Sequence, residues 1–426
     1  MQELSGLNAP ASPPASLPKH FFRREYANLV ALLSRRIGVH HIEAIEDAVQ
    51  SALMTALEQW GHSGAPGNPS AWLYRVAHRR VLDELRGAAR RRAIISEQSD
   101  RVEASEAPLE VSFEQELPDD LLRMLFVCCD PQIPAASQLV FSLKVLCGFD
   151  VREIALRLFL SEANVYKKLS RARQRLHAMG KEGWDVAGNQ QNDRLPTVHH
   201  VLYLLFTEGY LSSHAEQAIR RELCAEAIRL ATLLTAHRIG QESTSRALRA
   251  LMHLHMARLG SRQDETGALL LLEEQERSLW DQSEIQEGLK WLAASAEGET
   301  FSRYHAEAAI AAEHCLAPSF KDTRWHRVAE LYELLEHVSP SPLHRLNRAI
   351  ATAEWKGAQA GLAVLKGVEP PTWLAGSYLW SAAQSDLLRR AGEKEKARER
   401  ALTAMKTAPN DAIRQLLKKR LMPPFH

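Results

Sequence analysis

The sequence predicts an all-α protein, and three observations carry that prediction. Leu, Ala, Glu and Arg dominate its 426 residues, and all four are strong helix formers. Runs of β-branched residues bounded by turn residues are scarce. Apolar side chains instead recur at i, i+3, i+4 and i+7 in one stretch after another, the period of a helix with one buried face. So long a chain exceeds one simple core, and several domains are expected. With 45% hydrophobic and 25% charged residues it has the composition of a soluble globular protein. The net charge is only +1, so any contact with nucleic acid must come from local patches. Five cysteines without paired or metal-like spacing fit a reducing, cytoplasmic compartment. Cys128 and Cys129 are adjacent and are expected to be buried in an apolar helix. No run of 18 apolar residues is present, so no membrane-spanning helix is expected. Residues 1–20 are rich in Pro, Ser and Ala without a hydrophobic core segment, which reads as a disordered tail and not a signal peptide.

The first helix is expected over Phe22–Ile37, with Tyr26, Leu29, Val30 and Leu33 on its apolar face. A second runs from Ile42 to Trp60, where Ile45, Val49, Ala52, Leu53 and Ala56 repeat at helical spacing. Glu43, Glu46, Asp47, Gln50 and Glu58 fall outside that stripe, giving a wet acidic face or a docking surface for a basic partner. Gly61–Pro69 reads throughout as a loop. A third helix, Ala71–Arg92, sets seven arginines against Asp83 and Glu84, with Trp72 and Tyr74 at its start. Guanidinium groups hold phosphates and rings stack on unpaired bases, so this pattern suits partly unstacked nucleic acid. A lone Trp at helical spacing is more often a core residue, and Trp72 fits that position too. The loop just before this helix is placed to receive an extruded base.

From Glu97 to Asp120 there are nine acids and one base, Arg101, the composition of a solvated flexible linker. Its acidity would also shield basic surfaces. Beyond it, Leu121–Asp130 and Ala135–Leu146 are expected as helices, separated at Pro131 and Pro134. Val151, Ile154, Ala155 and Leu158 then form one short apolar face, and Ser161 offers a hydroxyl to cap the next helix. In that helix Val165, Leu169, Ala172 and Leu176 make a narrow stripe. Asn164, Lys167, Ser170, Arg171 and Gln174 point the other way, flanked by Lys168, Arg173 and Arg175. This is a helix-turn-helix pattern with a basic second helix carrying amides. Lys and Arg neutralise phosphates, while Arg, Asn and Gln match base edges in the major groove. On the wheel alone, a helical hairpin with a solvated basic face accounts for it as well.

Taken together, these pieces resemble the bacterial RNA polymerase sigma factors of the extracytoplasmic function (ECF) type. Glu46-Asp47-x-x-Gln50 resembles the family's region 2.2 signature. Ala71-Trp72-Leu73, Val76-Ala77 and Asp83-x-x-Arg86 resemble regions 2.3 and 2.4. Glu153-Ile154-Ala155, Ser161, Val165 and Leu169-Ser170-Arg171-Ala172-Arg173 resemble region 4.2. The resemblance implies docking on RNA polymerase core, at the β′ clamp helices and the β flap, with Glu46, Asp47, Gln50, Leu53 and Met54 on the docking helix. It implies opening and reading of the −10 element by Asn68, Trp72, Tyr74, Arg75, Arg79, Arg80 and Arg86. It implies reading of the −35 element by Ser161, Asn164, Lys167, Lys168, Ser170, Arg171, Gln174 and Arg175. Three places depart from the usual residues: Ser51 replaces a common acid, Arg79 a frequent Asn, and Tyr166-Lys167-Lys168 a Lys-Ser-Arg run. They bear on promoter sequence and melting.

The chain continues long past a typical member of that group. Val201–Tyr210, Glu222–Leu230, Leu271–Asp281 and Pro340–Ala349 resemble ECF sigma factors with a long helical, tetratricopeptide-like C-terminal extension, which implies a part in sigma activity or its control. Gly392, Ala397, Ala404 and Pro409 sit at offsets 0, 5, 12 and 17, the small-residue and proline positions of one tetratricopeptide repeat beginning near Tyr378. Trp325–Val338 and Pro342–Lys356 form a second helix pair with a poorer repeat match. Stacked hairpins of this kind present a concave face to a peptide or domain. His253 and His255 are two apart, so on a helix they cannot share a metal. No nucleophile–base–acid constellation and no Gly-rich phosphate loop is present. The expected domains are a region 2 domain at 21–95, a linker at 96–117, a region 4 domain at 118–180 and a helical extension at 181–426. The expected function is non-catalytic and without cofactor or metal: promoter-specific initiation, with a protein or intramolecular partner for the extension and no membrane. Two other readings stay open. One is a one-component helix-turn-helix regulator with a helical sensor domain, which would need no acidic docking helix. The other is a helical-repeat scaffold.

Overall fold

A computed structural model describes residues 19–96, 113–158, 160–184, 188–210, 221–264, 270–371, 374, 377–408 and 411–421. Among these every regular element is helical. The chain divides into two compact units, Met1–Val201 and Leu202–His426. No helix among the described residues is long and apolar enough to cross a membrane.

The first unit holds α1 (Lys19–Ile37), α2 (Ile42–Ser63), α3 (Pro69–Ser96), α4 (Phe113–Cys128), α5 (Ala135–Val145), α6 (Val151–Leu158) and α7 (Glu162–Met179). Helices α1 to α3 pack on one another through Val30, Leu33, Ile42, Ile45, Val49, Leu73, Ala77 and Val81, each essentially without exposed surface. A second apolar set, with Met124, Leu125, Phe141, Leu143, Val165, Leu169, Ala172 and Leu176, closes around α4, α5 and α7. Cys128 and Cys129 lie buried there, and burial raises both thiols far above their ordinary range. Helix α1 also touches α4 and α5, and α2 touches α7. Gly148 sits at this junction with φ +66, and a Cβ there would come within 2.5 Å of the Arg23 carbonyl oxygen. Only glycine allows the turn before α6 to press so closely on α1.

Two boundaries differ from expectation. Gly61, His62 and Ser63 continue α2 instead of opening the loop. His62 Nδ1 and Ser63 Oγ sit 2.8 and 2.9 Å from the carbonyls of Glu58 and Gln59, four residues back, and the helix stops at Gly64. The end of the acidic stretch is helical from Phe113, and Asp120 within that helix is not a solvated charge: it is 1% exposed and takes a hydrogen bond from Arg35 of α1 at 3.5 Å. Residues 1–18, 97–112 and Pro409 lie outside the described residues.

Helix α8 (Gly188–Tyr210) carries the division between the units. The second unit continues with α9 (Arg221–Ala236), α10 (Ser243–Ala257), α11 (Gln282–Ser295), α12 (Arg303–Leu316), α13 (Trp325–Val338), α14 (Pro342–Lys356), α15 (Ala358–Leu365), α16 (Tyr378–Arg390), α17 (Lys394–Lys406) and α18 (Asp411–Leu421). From α9 on, each helix packs mainly on its neighbours in sequence, and the apolar residues form a succession of small cores. Gly392, at φ +87, makes the turn between α16 and α17, whose Ala397, Ala401 and Ala404 are buried.

Candidate nucleic-acid interface

Helix α7 begins where the sequence places it. The Ser161 hydroxyl accepts from the Asn164 amide at 3.2 Å, which satisfies one free N–H of the first turn. Val165, Leu169, Ala172 and Leu176 are buried, while Asn164, Lys167, Ser170, Arg171 and Gln174 are exposed and Lys168 is half-buried. Arg175 is turned inward. Its Nε and Nη2 donate to Asp130 at 3.0 and 3.3 Å, and Arg194 donates to the same carboxylate at 2.9 Å. Asp130 is 1% exposed, so it acts as an internal anchor that fixes the rotation of α7.

The predicted residues on α3 and just before it differ in what they face. Arg75 and Arg79 are exposed, the latter loosely paired with Asp83 at 4.0 Å. Asn68 is exposed and caps the helix, its Oδ1 accepting from the Ala71 amide at 3.0 Å. Trp72 is half-buried, edge-on to Trp60 with ring centroids 5.4 Å apart. Tyr74 is 4% exposed and stacks on His78, a core position instead of a platform for a base. Burial raises the Tyr74 phenol and lowers the His78 imidazole. Arg80 reaches back to α2, donating to Ser51 and, at 2.9 Å, to Thr55, so the serine that replaces an acid receives an arginine. Arg86 pairs with Asp83 at 3.9 Å.

On α2, Asp47, Gln50 and Met54 are exposed and Leu53 is half-buried. Leu57, which the sequence reading did not single out, extends the exposed row: Met54 and Leu57 are 56% and 57% exposed. The signal was the spacing of Asp47, Gln50, Met54 and Leu57 at i, i+3, i+7 and i+10. Glu46 is not on the wet face. It is 3% exposed, with Tyr26 Oη donating to one carboxylate oxygen at 2.9 Å and Arg173 donating to the other from Nε and Nη2 at 3.0 and 2.8 Å. Burial lowers the Arg173 guanidinium, and the Glu46 carboxylate more than offsets that. Burial and the same carboxylate push the Tyr26 phenol well up.

In the second unit a groove of about 790 Å³ runs along α13, α14, α16 and α18. Trp325, Tyr332 and Tyr378 line it, and its charged rim pairs internally: Arg390 with Glu354, and Arg420 with Glu273 and Asp386. His253 Nδ1 donates to the Glu284 carboxylate at 2.7 Å, whereas the His255 ring lies tilted against that of Tyr210 with ring centroids 4.6 Å apart. Among the described residues no group of three or more His, Cys, Asp or Glu is placed to hold a metal ion.

Comparison with known families fits these surfaces. Sigma-70 region 2 matches residues 21–91, which span α1, α2 and most of α3. Sigma-70, region 4 matches residues 124–176, which hold the helix-turn-helix. A family of unknown function, DUF6596, matches residues 194–296. An uncharacterized protein of Rhizobium meliloti (strain 1021) is 33% identical over 376 residues, 87% of this chain and 87% of its own length. No solved structure matches the chain. The chain belongs to one family with that Rhizobium meliloti protein, and its sigma-70 regions 2 and 4 give it a sigma factor's role in promoter-specific transcription, with RNA polymerase core and promoter DNA as partners.

Proposed function

We propose that the protein is an ECF-type sigma factor of the cytoplasm, non-catalytic, with a region 2 domain at 21–95, a linker at 96–117, a region 4 domain at 118–180 and a helical extension at 181–426 that modulates the other two. The observation that carries the reading is α7: a capped helix with one face wholly buried and Asn164, Lys167, Ser170, Arg171 and Gln174 presented together on the other. Amides and guanidinium groups read base edges of the −35 element, and Lys167 and Lys168 hold phosphates. Arg175 contributes by anchoring the helix to Asp130. On the −10 side Arg75 and Arg79 meet the backbone, Trp72 offers its open edge to an unpaired base, and Asn68, Arg80 and Arg86 order the segment around it. Asp47, Gln50, Leu53 and Met54 face the β′ clamp helices of core, with Leu57 extending the row, and the region 4 domain meets the β flap. The tetratricopeptide-like extension takes a protein or intramolecular partner in its groove.

The test is transcription in vitro with sigma-free core polymerase and a pool of promoter fragments. Specific transcripts that disappear with Asp47→Arg are the expected result. DNA binding with neither core binding nor transcripts would replace this reading with a one-component regulator.

A further inference from the structure

We propose that the groove along α13, α14, α16 and α18 is a ligand site in its own right, whose occupant in the free chain is a small uncharged molecule with an apolar ring system and one hydrogen-bonding group. This goes beyond the partner assigned to the groove above, since a protein segment that enters it then competes with that molecule. The site lies wholly in the second unit and does not depend on the sigma factor assignment.

The groove measures about 790 Å³, within the range of about 300–1,000 Å³ in which small-molecule sites fall. Its lining is apolar and aromatic. The Trp325 ring lies 4.9 Å from that of Phe320 and, edge-on, 5.4 Å from that of His314, and its Nε1 donates to the Phe320 carbonyl at 3.2 Å. Tyr332, Ile350 and Tyr378 continue the lining. His314 differs from these neighbours. It lines the groove at only 8% exposure, and its Nδ1 has no hydrogen-bond partner among the described residues. Buried polar atoms are nearly always paired, and leaving one unpaired costs stability that a hydrogen bond to an occupant offsets.

The groove also selects against charge. At the rim Arg389 and Arg390 meet Asp386 at 2.8 and 3.6 Å, Arg390 also meets Glu354, and Lys419 and Arg420 meet Glu274 and Glu273 at 3.8 and 3.9 Å. Every basic group of the rim thus has an acidic partner on the rim itself. A charged peptide gains nothing there without first breaking a pair. Inside, the titratable groups are held neutral. Burial, with Arg258 and Arg277 beyond it, keeps the His314 imidazole down at about 3. Burial, with the Glu307 carboxylate, pushes the Tyr332 phenol up to about 12, and burial raises the Tyr378 phenol too. An ionised ligand would leave water for walls that supply no counter-charge, which is costly. A neutral imidazole carries one donor and one acceptor nitrogen, so a ligand hydroxyl can meet it in either tautomer.

The experiment uses the full chain at neutral pH, without polymerase or DNA. Four probes share one ring system: naphthylmethanol, naphthoate, naphthylmethylamine and methylnaphthalene. Their affinities are measured by ligand-observed NMR titration. Naphthylmethanol should bind at one site per chain, and the two charged probes about tenfold or more weakly. Ile350→Trp, which fills the groove from α14, should abolish binding. His314→Phe keeps a ring and removes its nitrogens. It should weaken naphthylmethanol about fivefold or more and leave methylnaphthalene unchanged. The site is overturned if naphthylmethanol does not bind, if a charged probe binds as well as the neutral ones, or if binding survives Ile350→Trp. An equal loss of both neutral probes in His314→Phe overturns the part given to its nitrogen. Should either variant not fold, the ranking of the four probes on the wild-type chain decides.

Discussion

Replacing Asp130 by alanine takes away the carboxylate on which Arg175 and Arg194 converge. The side chains of Asp130 and Arg194 are 1% and 8% exposed, so neither charge has water to fall back on. After the change Arg194 keeps a hydrogen bond to the Phe126 carbonyl at 3.0 Å, but no counter-charge. Removing one member of a buried pair costs about 3–5 kcal/mol, because the partner stays buried and unpaired. The lost hydrogen bond from the Gln132 amide to Asp130, at 2.9 Å, adds about 1 kcal/mol. The assay is native-state hydrogen exchange read on peptides covering α5 and α7, since exchange resolves one part of a two-unit chain. At about 1.4 kcal/mol per decade, protection of the Val140 and Phe141 amides should fall by about three to four orders of magnitude. Asp130→Ala combined with Arg194→Met removes the stranded charge as well and should recover most of that protection. A loss below about 1 kcal/mol, or a double variant no better than the single, would refute the idea that this carboxylate holds α7 in place.

Three further outcomes are expected. Lys167→Ala should weaken promoter binding about equally across sequences and reduce the slope of log affinity against log salt by about 1, whereas Gln174→Ala should cost about 1–3 kcal/mol and relax selectivity at one base pair, both read by fluorescence anisotropy. Met54→Glu should lower core affinity by at least about tenfold while leaving the melting temperature unchanged, because an exposed side chain contributes little to folding. The second unit should lose stability in mild acid. Burial, with Arg258 and Arg277 beyond it, holds the His314 imidazole down to about 3, and burial with Arg258 and Arg262 does the same for His255. Both therefore stay neutral when folded and take up a proton when unfolded. Their stabilisation is complete above the unfolded value near 6.5 and is lost as pH falls from there toward 3, at about 1.4 kcal/mol per pH unit for each histidine. Hydrogen exchange of α10 and α12 at pH 7 and pH 5, corrected for intrinsic rates, should show it, and His314→Phe should flatten the dependence.

Much of the molecule was written locally. The Ser161 cap, the stripe Val165–Leu169–Ala172–Leu176 and the exposed face opposite it depend on residues three and four apart, so periodicity alone placed them. The helix pair Trp325–Val338 and Pro342–Lys356 and the turn at Gly392 were legible for the same reason. Local pattern was silent wherever a polar residue met a partner far along the chain. Glu46 and Asp47 are neighbours with the same charge, yet one is 3% exposed and the other open to solvent, because only Glu46 lies opposite Arg173. Arg171 and Arg175 sit on one basic helix, yet Arg175 faces Asp130 and Arg194. Tyr74 reads as an aromatic beside arginines and is a core residue. The sequence by itself determined an all-helical chain, the helix-turn-helix and the two sigma regions, since hydrophobic period and capping chemistry act over a single turn. Which charges remain free to meet a partner was decided only by the tertiary structure, because a carboxylate or guanidinium is desolvated by whatever packs against it, and that neighbour can be more than a hundred residues away.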